Sequence, residues 1–329
     1  MTNVLEVKNL EVSVPSSLGK SNAVDGITFN IPAGKKVALV GESGSGKSLT
    51  AFALMRLLKD PVTIDAGEVW LDQQNILNLS EKDFRLIRGG KIAMVYQDPM
   101  SALNPITKIG KQLVESVLIH SEVSSEDARK IAIDLLRSVG IKEPEKSFNS
   151  YSFEMSGGML QRVVIAMALS GNPKVLIADE ATTALDVTTQ ARVLNLINAL
   201  AKDRGLSVLL ITHDLGVAAQ FADEIMVMYA GKIVERGEIQ KVYSRPLHPY
   251  TRALLDSRCD YTLDINEPIK SISGQPPRPD ERPEGCAFAP RCSFAVEQCG
   301  LSIPPLVEVA ETFTACFRAE DLLKSKGLA

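Results

Sequence analysis

The stretch Gly41-Glu42-Ser43-Gly44-Ser45-Gly46-Lys47-Ser48 constrains this chain more than any other. It fits G-x-x-x-x-G-K-[ST] and lies between a continuous apolar run, Lys36 to Val40, and a helix-forming stretch from about Lys47 to Leu58. A buried strand, a glycine turn and a helix in that order make one unit of a parallel α/β sheet. The turn aims successive backbone N–H groups inward at the helix N-terminus, which suits phosphate oxygens. Lys47 would neutralise β- and γ-phosphates and Ser48 would ligate magnesium. Gly41 through Ser48, with Leu49 behind them, are therefore the expected nucleotide-binding residues. An ordinary glycine turn before a helix is the plainer reading, and the flanking elements weigh against it.

A second chemical site follows another apolar run. Val175 to Ala178 leads into Asp179-Glu180, and two carboxylates at a strand end suit magnesium chemistry. Asp179 would hold the ion through its water shell, while Glu180 would orient and polarise the water that attacks the γ-phosphate. Taken alone, such a pair more often marks a helix N-terminus. Further buried strands are expected at Ile92 to Tyr96, Val208 to Thr212 and Ile225 to Met228, and two short strands of an antiparallel layer at Leu5 to Val7 and Ile27 to Ile31. Ser125 to Val139 carries apolar residues at Ala128, Ile131, Leu135 and Val139, a helical stripe. With Ile109 to His120 it predicts a helical insert at about 98–155, a natural docking surface.

These residues resemble the ATP-binding subunits of ABC transporters. The motifs occur in order: the phosphate loop, Gln97 after a strand, Met155-Ser156-Gly157-Gly158-Met159, Asp179-Glu180, Ala184-Leu185-Asp186, and His213. The resemblance covers about Leu5 to Tyr250. It implies a RecA-like P-loop NTPase core with an antiparallel β subdomain, an α-helical subdomain and a small cysteine-containing C-terminal extension. Gln97 would sense magnesium and the transport partner, and His213 would contact the γ-phosphate. Ser156, Gly157 and Gly158 would complete the ATP site of an opposing subunit in a head-to-tail pair linked through Asp186. His120 and His248 read as packed residues or caps.

Gln97-Asp98-Pro99-Met100-Ser101-Ala102-Leu103-Asn104-Pro105 and the segment from Asp179 to Thr188 look like the dipeptide, oligopeptide and nickel importer branch. Resemblance to that branch implies a related second ATPase subunit in a heterodimer, two integral membrane permeases and an extracytoplasmic substrate-binding protein. The expected place is the cytoplasmic face of the inner membrane, held peripherally through the permeases. Import of nickel chelates or oligosaccharides is the nearest alternative, and a soluble non-transport ABC ATPase a more distant one. Met155, Ala181 and Leu160 are mild departures from the branch. Val14 lies near where many relatives place an aromatic ring to stack on adenine, so the resemblance does not extend to adenine recognition.

After about Ser257 the composition changes, with eight of the 17 prolines between Pro268 and Pro305. A boundary is expected there, dividing an ATPase domain at 1–257 from an extension at 258–329. Cys286, Cys292, Cys299 and Cys316 lie in that extension. Four thiolates suit an iron–sulfur cluster or zinc, and four unlinked thiols are the plain alternative. Resemblance of Gly285-Cys286 and Pro290-Arg291-Cys292 to extensions of peptide importer ATPases favours a [4Fe-4S] cluster. Cys259 is expected to be a structural or free thiol. With 36 basic and 40 acidic residues the net charge is -4, which offers no global field for nucleic acid. No apolar run approaches the roughly 18 residues of a membrane span, and the start lacks the pattern of a secretory leader.

Overall fold

Strands form here wherever aliphatic runs can be covered on both faces, and glycines in left-handed conformation end several of the segments between them. The computed structural model describes residues 2–17, 19–181, 186–257 and 272–324. The expectation for Cys259, the expected boundary at 257/258 and the Ala184-Leu185 part of the motif before Asp186 fall at least partly outside these residues. In chain order the strands are β1 (Asn3–Ser16), β2 (Gly19–Pro32), β3 (Lys36–Val40), β4 (Thr63–Leu71), β5 (Gln74–Asn75), β6 (Ile92–Val95), β7 (Val175–Asp179), β8 (Ser207–Thr212), β9 (Glu224–Tyr229), β10 (Lys232–Glu238), β11 (Val307–Val309) and β12 (Thr312–Thr314). The helices are α1 (Lys47–Leu54), α2 (Glu81–Ile87), α3 (Ile109–His120), α4 (Ser125–Ser138), α5 (Pro144–Asn149), α6 (Gly157–Ala168), α7 (Val187–Arg204), α8 (Leu215–Phe221), α9 (Ile239–Ser244), α10 (Pro249–Asp256), α11 (Glu297–Leu301) and α12 (Ala319–Lys324). They fall into two compact units with interleaved segments, Met1–Glu6, Asn30–Lys36 and Val69–Ile211 in the first, and Val7–Phe29, Val37–Glu68 and Thr212–Ala329 in the second.

In the first unit β8, β7 and β6 are neighbours in that order and run parallel, with Val175 opposite both Ile92 and Ser207. Every residue of β6, β7 and β8 is buried, which explains runs without alternation. The helical insert is present, with α3, α4, α5 and α6 packed on one another. Ser124 caps α4 by accepting the Asp127 N–H at 3.1 Å, Ala128, Ala132, Leu135 and Leu136 form its buried stripe, and Gly140 at φ 76° follows its end.

The second unit carries strands in the order β11-β12-β10-β9-β3. β3 and β9 are parallel, Val40 opposite Val227, and β10 turns back antiparallel on β9. The extension supplies β11 and β12, with β12 antiparallel to β10 through Glu235 opposite Thr314. Those two strands are too short for a periodic signal. Within this unit the parts of β2, β1 and β4 are neighbours in that order. β1 and β2 have 14 residues each, well beyond the short runs expected. Ser13, at a polar position of the Leu10, Val12, Val14 alternation, is nevertheless buried, because its hydroxyl bonds Asn22 Oδ1 at 2.8 Å and Asp65 Oδ2 at 2.6 Å. Helix α1 stops at Leu54 rather than near Leu58, since Arg56 takes a left-handed conformation at φ 48°.

One buried carboxylate fixes the start of α10. Glu235 is fully buried; its Oε1 accepts the Leu247 N–H at 2.7 Å and its Oε2 the His248 N–H at 3.0 Å. His248 then caps the helix, its Nδ1 accepting the Tyr250 N–H at 3.1 Å, and burial pushes that imidazole down to about 3, so it is neutral. Burial pushes the Glu235 carboxyl up to about 7 against hydrogen bonds that lower it. A carboxyl raised in the fold contributes stability that is fully present below its unfolded value near 4.5 and is lost as pH rises through about 7. Thermal stability is therefore expected to fall from pH 5 to pH 8 through this group, and Glu235→Gln to flatten the slope; an identical slope in the variant would assign it elsewhere. Glu235→Ala strands two buried N–H groups and should destabilise by about 2–5 kcal/mol in chemical denaturation.

Candidate active site

The loop between β3 and α1 is shaped by contact with the turn that follows β9. A Cβ on Gly41 would lie 2.2 Å from the Met228 carbonyl oxygen, so only glycine permits this approach. Gly46 at φ 106° enters the helix in a left-handed conformation and faces the Ala23 carbonyl. The Gly231 N–H donates to the Ser45 carbonyl at 2.9 Å, tying loop to turn. Lys47 is buried; its Nζ donates to the carbonyls of Gly41 at 2.8 Å and Glu42 at 2.9 Å, and lies 3.4 Å from Ser45 Oγ. The ammonium is thus folded back over the loop. Ser43 and Gly44 are exposed, Ser48 and Leu49 half-buried. Gly41 to Leu49 all lie in the second unit.

In the first unit β7 ends in Asp179, which is buried, and Glu180, which is half-buried with a left-handed φ of 46°. A non-glycine residue in that region is uncommon and marks a position held by its surroundings, here by the Glu180 N–H donating to the Ile211 carbonyl at 3.0 Å. Gln97, exposed just beyond β6, donates from Nε2 to Glu180 Oε2 at 3.1 Å. Gln97, Asp179 and Glu180 thus share the first unit, whereas Lys47, Ser48 and His213 belong to the second. His213 is exposed directly after β8.

Ser156 occupies the N-cap position of α6, but its side chain makes no cap bond and is exposed. A Cβ on Gly158 would meet Thr189 Cγ2 at 2.9 Å, which sets the close approach of α6 to α7. Ser156 and Gly158 line a cleft of about 590 Å³ with the cations Lys142, Lys146, Arg162 and Arg192 and the carboxylates Glu143 and Glu154, Lys146 being paired with Glu143 at 3.1 Å, so that positive charge is in excess. Asp186 caps α7, its Oδ1 accepting the Thr189 N–H at 3.0 Å, and hydrogen bonds from Thr189 hold its carboxyl below the usual range.

The four cysteines of the extension converge. Cys286, Cys292, Cys299 and Cys316 line one small cavity of about 20 Å³ with Phe288, Phe294 and Pro304. Burial pushes the Cys286 and Cys292 thiols up, and that of Cys316 to about 11. Among the described residues no group of three or more His, Cys, Asp or Glu side chains is arranged so that it could hold a metal ion, the four cysteines included.

Three residues matter here that the sequence did not single out. Tyr250 is fully buried and its hydroxyl oxygen accepts the Glu42 N–H at 2.7 Å; Arg291 forks onto the Glu42 carboxylate; Glu235 anchors the helix that carries Tyr250. None lies near the phosphate loop in sequence, and only the Pro290-Arg291-Cys292 pattern offered a signal.

The family described as "ABC transporter" matches residues 24–183, and the one described as "Oligopeptide/dipeptide transporter, C-terminal region" matches residues 234–299. The oligopeptide transport ATP-binding protein OppD of Bacillus subtilis is 46% identical over 95% of this chain and 87% of its own length. The dipeptide transport ATP-binding protein DppD of Lactococcus lactis is 44% identical over 95% and 89% respectively. A dimeric ATP-binding cassette in a post-hydrolysis state, bound to ADP and Pi, superposes with a TM-score of 0.64 at 29% identity, covering 71% of this chain and 98% of that one.

The Gly41 contact yields a direct test. Gly41→Ala forces the loop off the Met228 carbonyl and should weaken equilibrium binding of a fluorescent ATP analogue by at least about tenfold, or ~1.4 kcal/mol; unchanged affinity would contradict the packing described.

Proposed function

This chain belongs to the ATP-binding subunits of ABC transporters, an ATP-hydrolysing family, and we propose that the cargo it drives inward is di- or oligopeptides. The observation that carries the cargo reading is the pairing, in one chain, of an ABC segment with an oligopeptide/dipeptide C-terminal region. The names of the relatives point the same way.

In the proposed mechanism the backbone of Gly41 to Ser48 and the Lys47 ammonium hold the phosphates. Ser48, Gln97 and Asp179 would hold magnesium, which supplies positive charge to the phosphate oxygens. Glu180 accepts a proton from the attacking water as that oxygen bonds the γ-phosphorus and the bond to the bridging oxygen breaks, releasing ADP and phosphate. Its left-handed backbone and the Gln97 hydrogen bond support this role by fixing the carboxylate. His213 contacts the γ-phosphate. Ser156, Gly157 and Gly158 serve the nucleotide of a second, related ATPase subunit, and Asp186 lies in the loop that joins the pair; the cationic cleft beside Ser156 supports this. Glu180→Gln in the assembled transporter should lower ATP turnover at least about 100-fold while ATP binding persists. Undiminished turnover would sink the mechanism.

The remaining partners are two membrane permeases and an extracytoplasmic binding protein, with this chain peripheral on the cytoplasmic face. No described helix is long and apolar enough to cross a membrane, in keeping with attachment through the permeases. The ATPase domain spans 1–257 and the extension 258–329. Cys286, Cys292, Cys299 and Cys316 would hold a [4Fe-4S] cluster, which would staple a segment with few described helices and strands; the placing of all four around one spot supports this. Protein purified without oxygen is expected to be brown, with a broad visible absorbance lost on Cys292→Ser. Colourless protein with stoichiometric zinc would reject iron and sulfur.

A further inference from the structure

We propose that Arg291 is a positioning residue for the phosphate loop, and that through Glu42 it sets the affinity of the loop for nucleotide phosphates. The second residue of the loop is a carboxylate, the wrong sign beside a polyphosphate. The structure answers that charge from the extension: Arg291 Nη1 donates to Glu42 Oε2 at 2.7 Å and Nη2 to Oε1 at 3.0 Å, a fork pairing. The arginine side chain is 5% exposed and that of Glu42 25%, so solvent screens the pair weakly.

The guanidinium is itself immobilised. Its Nε donates to the Ser273 carbonyl at 2.9 Å, Nη2 to the Gly274 carbonyl at 3.2 Å, and Nη1 to the Tyr229 hydroxyl at 3.3 Å. Its carbon lies 5.8 Å from the Tyr229 ring centre and 5.9 Å from that of Phe288. Arg291 therefore gives Glu42 a fixed place as well as a counter-charge. The main chain of Glu42 is held from the same side, since its N–H donates to Tyr250, whose ring packs at 4.6 Å from Tyr229 and 5.3 Å from Phe288. One loop residue is thus gripped at both backbone and side chain by groups outside the loop. Without Arg291 the Glu42 carboxylate would repel incoming phosphate. It would also compete for Lys47, whose Nζ already rests on the Glu42 carbonyl.

The inference rests on the ATPase reading, and its test separates the two. ATP KM and kcat are measured in the assembled transporter for wild type, Arg291→Ala, Arg291→Lys, Glu42→Gln and the double variant Glu42→Gln/Arg291→Ala. Lys241→Ala serves as control, because it breaks an exposed bridge from the extension residue Glu311 that does not involve the loop. Arg291→Ala should raise KM about tenfold with kcat within about twofold, Arg291→Lys should fall between, and Lys241→Ala should match wild type. Removing the stranded charge in the double variant should return KM to within about twofold of wild type, a coupling that mere loss of stability would not produce. An unchanged KM in Arg291→Ala, or no recovery in the double variant, overturns the proposal. Should Arg291→Ala fail to fold, Arg291→Lys with and without Glu42→Gln reads the same cycle. Absence of ATP turnover in wild type would instead defeat the ATPase reading.

Discussion

The close approach of the phosphate loop to the end of β9 and the turn after it is the constraint on which the rest of this site depends. Gly41 lies against the Met228 carbonyl, the Gly231 N–H holds the Ser45 carbonyl, and the Asp25 N–H holds the Gly231 carbonyl at 3.0 Å. A side chain at Gly231 would strike the Ala23 carbonyl at 2.6 Å, so the turn is itself fixed by a neighbouring strand. A loop that must present backbone N–H groups to an anion cannot wander without losing geometry, and backbone-to-backbone packing restrains it more tightly than side chains do. Behind the turn, Tyr229, Tyr250 and Phe288 form an aromatic wedge that transmits the same restraint to helix α10 and to the extension.

The extension consequently has a structural part in the second unit. Its strand β12 pairs with β10, its Phe288 joins the aromatic wedge, and its Arg282 pairs with Asp25 at 3.3 Å. Its described helices are short and much of it is irregular.

How much of this was readable in advance depended on whether the chemistry is contiguous in the chain. Gly41 to Ser48 and Asp179-Glu180 carry their geometry in adjacent residues, and the parallel strands around them are continuous aliphatic runs, so loop, acidic pair and core strands were found. The lengths of β1 and β2 escape a periodic reading because the apolar alternation shifts phase within each strand, at Asn9 with φ 48° in β1 and at Gly26 with φ 64° in β2. β11 and β12 were missed because three-residue strands have no period. The left-handed backbone of Glu180 leaves no trace in residue type. The pairing of Glu42 with Arg291 spans 249 positions, and no local pattern encodes such a contact. His248 was read as a packed cap and is one, while the significance of its neighbour Tyr250 emerged only from the hydrogen bond to Glu42.

In the proposed mechanism each subunit supplies only part of an ATP site, and the turn at Ser156 to Gly158 would complete that of a second subunit. The most direct measurement is the rate of ATP hydrolysis per chain, first for the isolated chain over a wide concentration range and then with its partner subunits assembled. Turnover near background in dilute isolated chain, rising steeply with concentration or on assembly, is the expected result. Full turnover per chain at high dilution, unchanged by assembly, would contradict the shared site.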